Sequence, residues 1–251
     1  MTFWDHLDEL RGVILKSLAA WCVAAVGAFC FKEQLFAFLF APTQPDFILY
    51  RALCRLAHST GWEALCPEAV EIGFINTELT AQFMTHIQIA LFAGLIVAMP
   101  LIVYWVYGFI APALYEQEKR YSLTLVFSSL ALFVAGVALT YLVIFPFAFR
   151  FLGTYQVSEL VVNQISLSSY FSLFIVLALL MGLFFEVPVL TWFLARMGIL
   201  KADHLRRYRR HVFVAILILA AVITPTGDPF TLLLVTLPVY LLYELSIFLV
   251  R

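Results

Sequence analysis

Charge is what this chain has least of. Asp, Glu, Lys and Arg make up 12% of its 251 residues, while 64% are hydrophobic and 16% aromatic. Soluble domains are about a quarter charged and roughly half apolar. The apolar excess is more than one soluble core absorbs, which excludes a soluble single-domain enzyme and a disordered chain. The same excess excludes a nucleic-acid-binding chain, while the net charge of −1 says little by itself. Enzyme signatures are missing too. There is no H-E-x-x-H to hold zinc, no Walker A loop and no G-x-S-x-G elbow. His6, His58, His86, His204 and His211 lie scattered, without the spacing of metal ligands. No metal, cofactor or catalytic residue is expected.

What remains is apolar runs. An outer-membrane barrel would show short alternating segments with a polar lumen face. Here the runs are continuous and about 20 residues long, the length that crosses a bilayer as a helix. They predict an all-α polytopic membrane protein, one membrane domain over residues 1–251 with six spans at about 12–31, 83–106, 123–145, 170–194, 211–223 and 231–250. Pro146 is expected to close the third. The fifth is too short for a hydrocarbon core about 30 Å thick. The turn after it, Thr224 to Pro229, is expected to dip below the membrane surface.

Six spans put both termini on one side, and the basic residues say which. Arg11, Lys16, Lys119, Arg120, Arg196, Lys201, Arg206, Arg207, Arg209, Arg210 and Arg251 share the N-terminal side. Lys32, Arg51, Arg55 and Arg150 lie on the other. Lys and Arg are retained in the cytoplasm, so both termini are expected there. Asp5, Asp8 and Glu9 are unlike the basic start of a cleavable signal peptide. The long outside loop from Ala41 to about Thr80 carries Cys54 and Cys66, compatible with a disulfide or with two free thiols. Cys22 and Cys30 lie in the first span as small apolar residues.

In so apolar a chain the polar exceptions are informative. Glu186 lies deep in the fourth span, where an ionised carboxylate costs about 3 kcal/mol on insertion scales. It is either a polar site used by a substrate or partner, or a structural hydrogen bond to a neighbouring helix. Pro188 deprives the Phe184 carbonyl of its helical donor and predicts a kink there. Glu244 is explained equally by interfacial snorkelling, by a tie to the basic run Arg206 to Arg210, or by a site. Asp228 suits a tight turn. The clusters Asp5 to Arg11 and Tyr115 to Arg120 are solvated faces or, alternatively, sites for a cationic ligand. The basic run before the fifth span sets topology or attracts anionic lipid.

Four stretches in order resemble one family. His6-Leu7-Asp8-Glu9-Leu10-Arg11 resembles an N-terminal H-L-x-E-L-R, and Phe109 to Arg120 resembles F-x-x-P-x-L-Y-x-x-E-[KR]-R, with Pro112 as its proline. Phe185-Glu186-Val187-Pro188 resembles F-E-x-P, and Leu242-Tyr243-Glu244-Leu245-Ser246-Ile247 resembles L-Y-E-x-S-I. Together they resemble TatC, the large membrane component of the twin-arginine protein translocase, from His6 to Ile247.

The resemblance implies a concave, glove-like bundle of six helices with short fifth and sixth helices, in the bacterial inner membrane. It implies a receptor for signal peptides bearing two consecutive arginines. It further implies a core that exports folded proteins, driven by the proton gradient, in a multi-copy complex with TatA-like and TatB-like single-span proteins and membrane lipids. The family's signal-binding carboxylates fall on Glu9 and Glu118, flanked by Leu10, Arg11 and Lys119. Glu186, Pro112, Asp228 and Glu244 become candidates for an intramembrane polar site, a partner contact or a structural role. One departure is clear. Where the family often has T-P-P-D-x-x-S-Q, Asp228 takes the aspartate's place and Leu232 stands where the glutamine would be. The rival reading is a secondary transporter or channel for a small solute or ion, with Glu186 and Glu244 coupling it.

Overall fold

The computed structural model describes residues 3–61, 66, 73–110, 122–158, 163–223 and 228–250. It is a helical bundle in chain order. Helix α1 is Phe3–Cys30, α2 is Lys32–Phe40 and α3 is Ile48–Thr60. They are followed by α4 (Ala81–Ile110) and α5 (Ser122–Leu139), a π-turn at Thr140–Ile144 and α6 (Phe145–Thr154). Next come α7 (Leu167–Phe185), α8 (Val187–Arg196) and α9 (Ala202–Arg207). The last two are α10 (Arg209–Ile223) and α11 (Pro229–Leu249).

Among the described residues, five stretches are long and apolar enough to cross a membrane: His6–Cys30, Ala81–Phe109, Leu125–Thr154, Leu167–Arg196 and Pro229–Leu249. Two expectations change. Helix α11 is not short: its 21 residues span about 30 Å at 1.5 Å each. Pro146 does not end the third helix. It sits in the first turn of α6, and the π-turn just before it re-registers the backbone so that helix runs on to Thr154. The fifth expected span corresponds to α10, with 15 residues.

The pairing of α1 and α4 is antiparallel. His6 stacks on Phe109 at one end (ring centroids 4.3 Å apart) and Phe29 on His86 at the other (3.9 Å). Between them Trp21 Nε1 donates to the Leu91 carbonyl at 2.8 Å. Gly94 makes this approach possible: a Cβ there would lie 2.5 Å from the Ala25 backbone. Without a hydrophobic drive between helices in lipid, small residues at such crossings let backbones pack closely.

A cap closes the end of the bundle opposite the N-terminus, built from α2, α3 and a two-residue parallel pair, Phe74–Ile75 with Ile165–Ser166. Helix α2 ends against the bundle, so its last carbonyls need partners. Tyr141 donates to the Phe38 carbonyl at 2.8 Å, Tyr170 to that of Leu39 at 2.7 Å, and Thr43 to that of Phe40 at 2.7 Å. Tyr50 of α3 donates to the Pro42 carbonyl at 3.2 Å and sits under the Arg150 guanidinium, 5.8 Å from its ring centroid. Burial pushes the Tyr50 phenol above its usual range and Arg150 pulls it back, so it stays a donor. Cys54 and Cys66 are joined by a disulfide that ties α3 to the following loop.

The core lies beneath this cap and is largely aromatic. Tyr170 meets Phe74, Phe145, Phe149 and Phe171 with ring centroids about 5 Å apart, mostly edge to face. Replacing Tyr170 with Phe keeps this packing and orphans the Leu39 carbonyl. That costs about 1–3 kcal/mol. The expected result is a lower melting temperature of the detergent-solubilised protein. An unchanged melting temperature would mean that α2 is not held by its carbonyls.

Candidate functional site

Glu9 lies near the start of α1, half-exposed, with Leu10 and Arg11 exposed beside it. The His6–Phe109 stack fixes the start of α1 against the last turn of α4, and the chain leaves α4 into the segment that carries Glu118. Pro112, Glu118 and Lys119 themselves lie outside the described residues.

Below this end, α1 and α4 leave an apolar groove of about 450 Å³. Leu10, Ile14, Leu18 and Trp21 line it from α1, and Ile102 and Val106 from α4. The arrangement sets an acidic residue, Glu9, one position before Leu10, the first residue of the groove wall. Chemically it suits a ligand with a cationic end followed by an apolar stretch.

On the other side of α4 is a cleft of about 340 Å³, also touching Ile102 and Val106. Its polar residues are Tyr107, Ser129 and Glu186, among aliphatic neighbours from α4, α5, α7 and α8. Glu186 stands at the break between α7 and α8. Pro188 is in the first turn of α8 and has no N–H to continue the helix. The Phe184 carbonyl does find a donor, however: the Glu186 N–H turns to it and to the Leu183 carbonyl. Within α8, Thr191 hydroxyl donates back to the carbonyls of Val187 (2.9 Å) and Pro188 (3.0 Å).

The break also aims the carboxylate. Ser129 Oγ of α5 donates to Glu186 Oε2 at 2.7 Å, while Oε1 is buried and has no hydrogen-bond partner among the described residues. Of the two sequence readings of Glu186, a hydrogen bond to a neighbouring helix is present, and half the carboxylate is left over. Sequence reasoning missed Ser129. Its signal was available, since Ser128-Ser129 are the polar pair inside an otherwise apolar α5.

The remaining candidates sit elsewhere. Glu244 pairs with Arg209 at 2.8 Å and accepts from Tyr240 hydroxyl at 3.0 Å, which is the tie to the basic run. Tyr243 hydroxyl donates to the Leu205 carbonyl at 2.7 Å, anchoring α9 to α11. Asp228 caps α11, its Oδ1 accepting from the Thr231 N–H at 2.6 Å with Pro229 at the first helical position. The structure therefore keeps Glu186 and Glu244 in separate settings, the first in the cleft and the second in an ion pair.

Comparison with known proteins agrees over nearly the whole chain. Residues 5–238 match the family model of TatC, the Sec-independent protein translocase protein. The TatC of a Blattabacterium from Periplaneta americana is 32% identical over 251 residues, covering 99% of this chain and 94% of that protein. The TatC of Deinococcus radiodurans is 34% identical over 248 residues, covering 99% and 85%. A crystal structure of the twin-arginine translocase receptor TatC superposes with a TM-score of 0.77 at 30% identity, over 98% of this chain and 97% of that one. A second, of the receptor in DDM, gives 0.80 at 30% identity, over 98% and 99%. A family match of this extent accounts for the helical fold, and the chain belongs to the TatC family of Sec-independent protein translocase proteins.

Proposed function

We propose that this translocase component is the receptor for twin-arginine signal peptides and the core of the exporting complex. Glu9 and Glu118 read the two arginines. A guanidinium is a planar fork that a carboxylate meets with two hydrogen bonds, which Lys cannot reproduce. The observation that carries the reading is the His6–Phe109 stack, which fixes the Glu9 helix to the end of the helix leading into Glu118. The apolar groove running from Leu10 to Trp21 begins one position after Glu9 and is where the apolar part of a signal peptide would lie.

In this reading α10 completes a set of six spans forming a concave bundle, despite its 15 residues. Both termini face the cytoplasm of the bacterial inner membrane, in line with the basic residues gathered on that side. The single-span partners are TatA-like and TatB-like proteins, the proton gradient drives export, and the complex holds several copies. Glu186 offers its spare oxygen to a polar group entering the cleft. Glu186→Leu is expected to lower export on the order of tenfold, the worth of one hydrogen bond to a charged group, while membrane insertion persists. Unchanged export with raised thermal stability would assign Glu186 a purely structural role.

One reconstitution separates this from the transporter reading. The chain in liposomes is expected to retain an Arg-Arg signal peptide over a Lys-Lys control and to move no small solute unaided. Solute flux without peptide retention would overturn the proposal.

A further inference from the structure

Helix α3 presents three different faces. Tyr50 and Ala57, seven residues apart, are buried against the bundle. On the outward side Ile48, Ala52 and Leu56 form one row at four-residue spacing. All three are exposed, Ile48 at 61% and Leu56 at 54%. Arg51 and Arg55 form the adjacent row, continued by His58, and these are exposed too. An apolar row beside a basic row is the pattern of a helix that lies in a membrane surface.

The inward contacts set the depth of α3. Tyr50 hydroxyl reaches the Pro146 carbonyl at 3.4 Å. Pro146 lies about 31 Å beyond Leu125, where that candidate span begins, at 1.5 Å per helical residue. A hydrocarbon core is about 30 Å thick, so α3 stands level with the headgroups on the cap side. Its 13 residues reach about 20 Å, too short to cross. The start of α3 also joins an outward apolar surface. Exposed Phe38 of α2 stacks on Tyr141 with ring centroids 4.2 Å apart, and Tyr141 meets Phe47, the residue before α3, edge to face at 5.5 Å.

Charge identifies the occupant. Among the described residues, no hydrogen bond or ion pair engages the guanidinium of Arg51 or Arg55. Asp46 is the acid nearest to Arg51 in the chain, and it precedes the first turn of the helix. Arg150, over the Tyr50 ring, brings a third cation to the same helix. Two guanidinium forks about 6 Å apart along a helix, level with the headgroups, match lipid phosphates.

We propose that α3 is an interfacial helix on the cap-side leaflet, with its apolar row among the upper acyl chains and Arg51 and Arg55 on the phosphates of anionic phospholipid. In the orientation proposed above this is the outer leaflet. The site is at the opposite end of the bundle from Glu9 and does not depend on the signal-peptide reading.

The test uses the full-length protein in vesicles carrying photoactivatable phosphatidylglycerol or phosphatidylcholine, with the reactive group near the glycerol. Wild type is expected to take label at Ile48, Ala52 and Leu56 from both lipids, and more from phosphatidylglycerol. Arg51→Gln and Arg55→Gln are each expected to lower that preference by up to about fivefold, what one basic residue near an anionic surface contributes. The double variant is expected to abolish it. Ala52→Glu puts a carboxylate in the apolar row and is expected to lower labelling of the row by both lipids. All three side chains are exposed, so the variants keep the fold. No label on α3, equal labelling of wild type by the two lipids, or an undiminished preference in the double variant would overturn the proposal. So would a photoreactive side chain at position 52 that captures a protein instead of lipid in intact membranes.

Discussion

Glu9→Ala is expected to weaken binding of an Arg-Arg signal peptide by about tenfold, with membrane insertion intact. A hydrogen bond to a charged group contributes about 1.5–3 kcal/mol, and the lower end applies because Glu9 is half-exposed. Glu9→Gln keeps one acceptor oxygen and loses the charge, so it should fall between Ala and wild type. Glu118→Ala is expected to lose a similar factor. If both carboxylates read the same pair of arginines, the double variant loses less than the product of the single losses, because the second loss finds a ligand already released. Wild-type affinity in both single variants would remove them from the recognition site. Affinity by titration in detergent, with a Lys-Lys peptide beside it, is the readout.

Gly136→Leu is expected to have the largest effect on the fold. A Cβ at Gly136 would lie 2.6 Å from the Met181 carbonyl oxygen, and one at Gly182 would lie 2.6 Å from the Phe133 ring. The antiparallel helices α5 and α7 therefore touch backbone to backbone one turn from the α7–α8 break. Met181 is fully buried, so a larger residue at 136 has nowhere to go. Overpacking of a well-filled core costs about 1–3 kcal/mol, and a Leu against a carbonyl lies at the upper end.

The consequence reaches the cleft. Ser129 and Glu186 are held at 2.7 Å by this crossing, and pushing α5 away parts them. Gly136→Leu should therefore lower both the melting temperature and export, whereas Gly136→Ala should do so more mildly. Gly27→Ala is the matched control, since a Cβ there meets nothing within 4 Å. Equal behaviour of Gly136→Leu and Gly27→Ala would contradict the packing described.

The long apolar runs were legible from sequence because a membrane span is a matter of length and composition. The break at Glu186 was legible for the same reason, since a proline removes a donor wherever it falls. The continuation past Pro146 was not. A π-turn is a local repair that leaves no residue signature, and only the coordinates reveal it. The cap was equally hidden. That Tyr141 and Tyr170 donate to carbonyls of Phe38 and Leu39, more than a hundred residues away, depends on tertiary placement. Glu244 was ambiguous because several bland partners were available, and the structure selects Arg209. Glu9 was legible only through the family resemblance, because an acidic residue on a solvated helix face is ordinary.

The central claim is that Glu9 and Glu118 jointly receive the two arginines. The most direct measurement places a photoreactive side chain beside Glu118, in the full chain within its membrane, and offers an Arg-Arg signal peptide. The account predicts a crosslink at the arginine pair that is lost in Glu9→Ala and absent with a Lys-Lys peptide. Equal crosslinking of the Arg-Arg and Lys-Lys peptides, unaffected by Glu9→Ala, would contradict it.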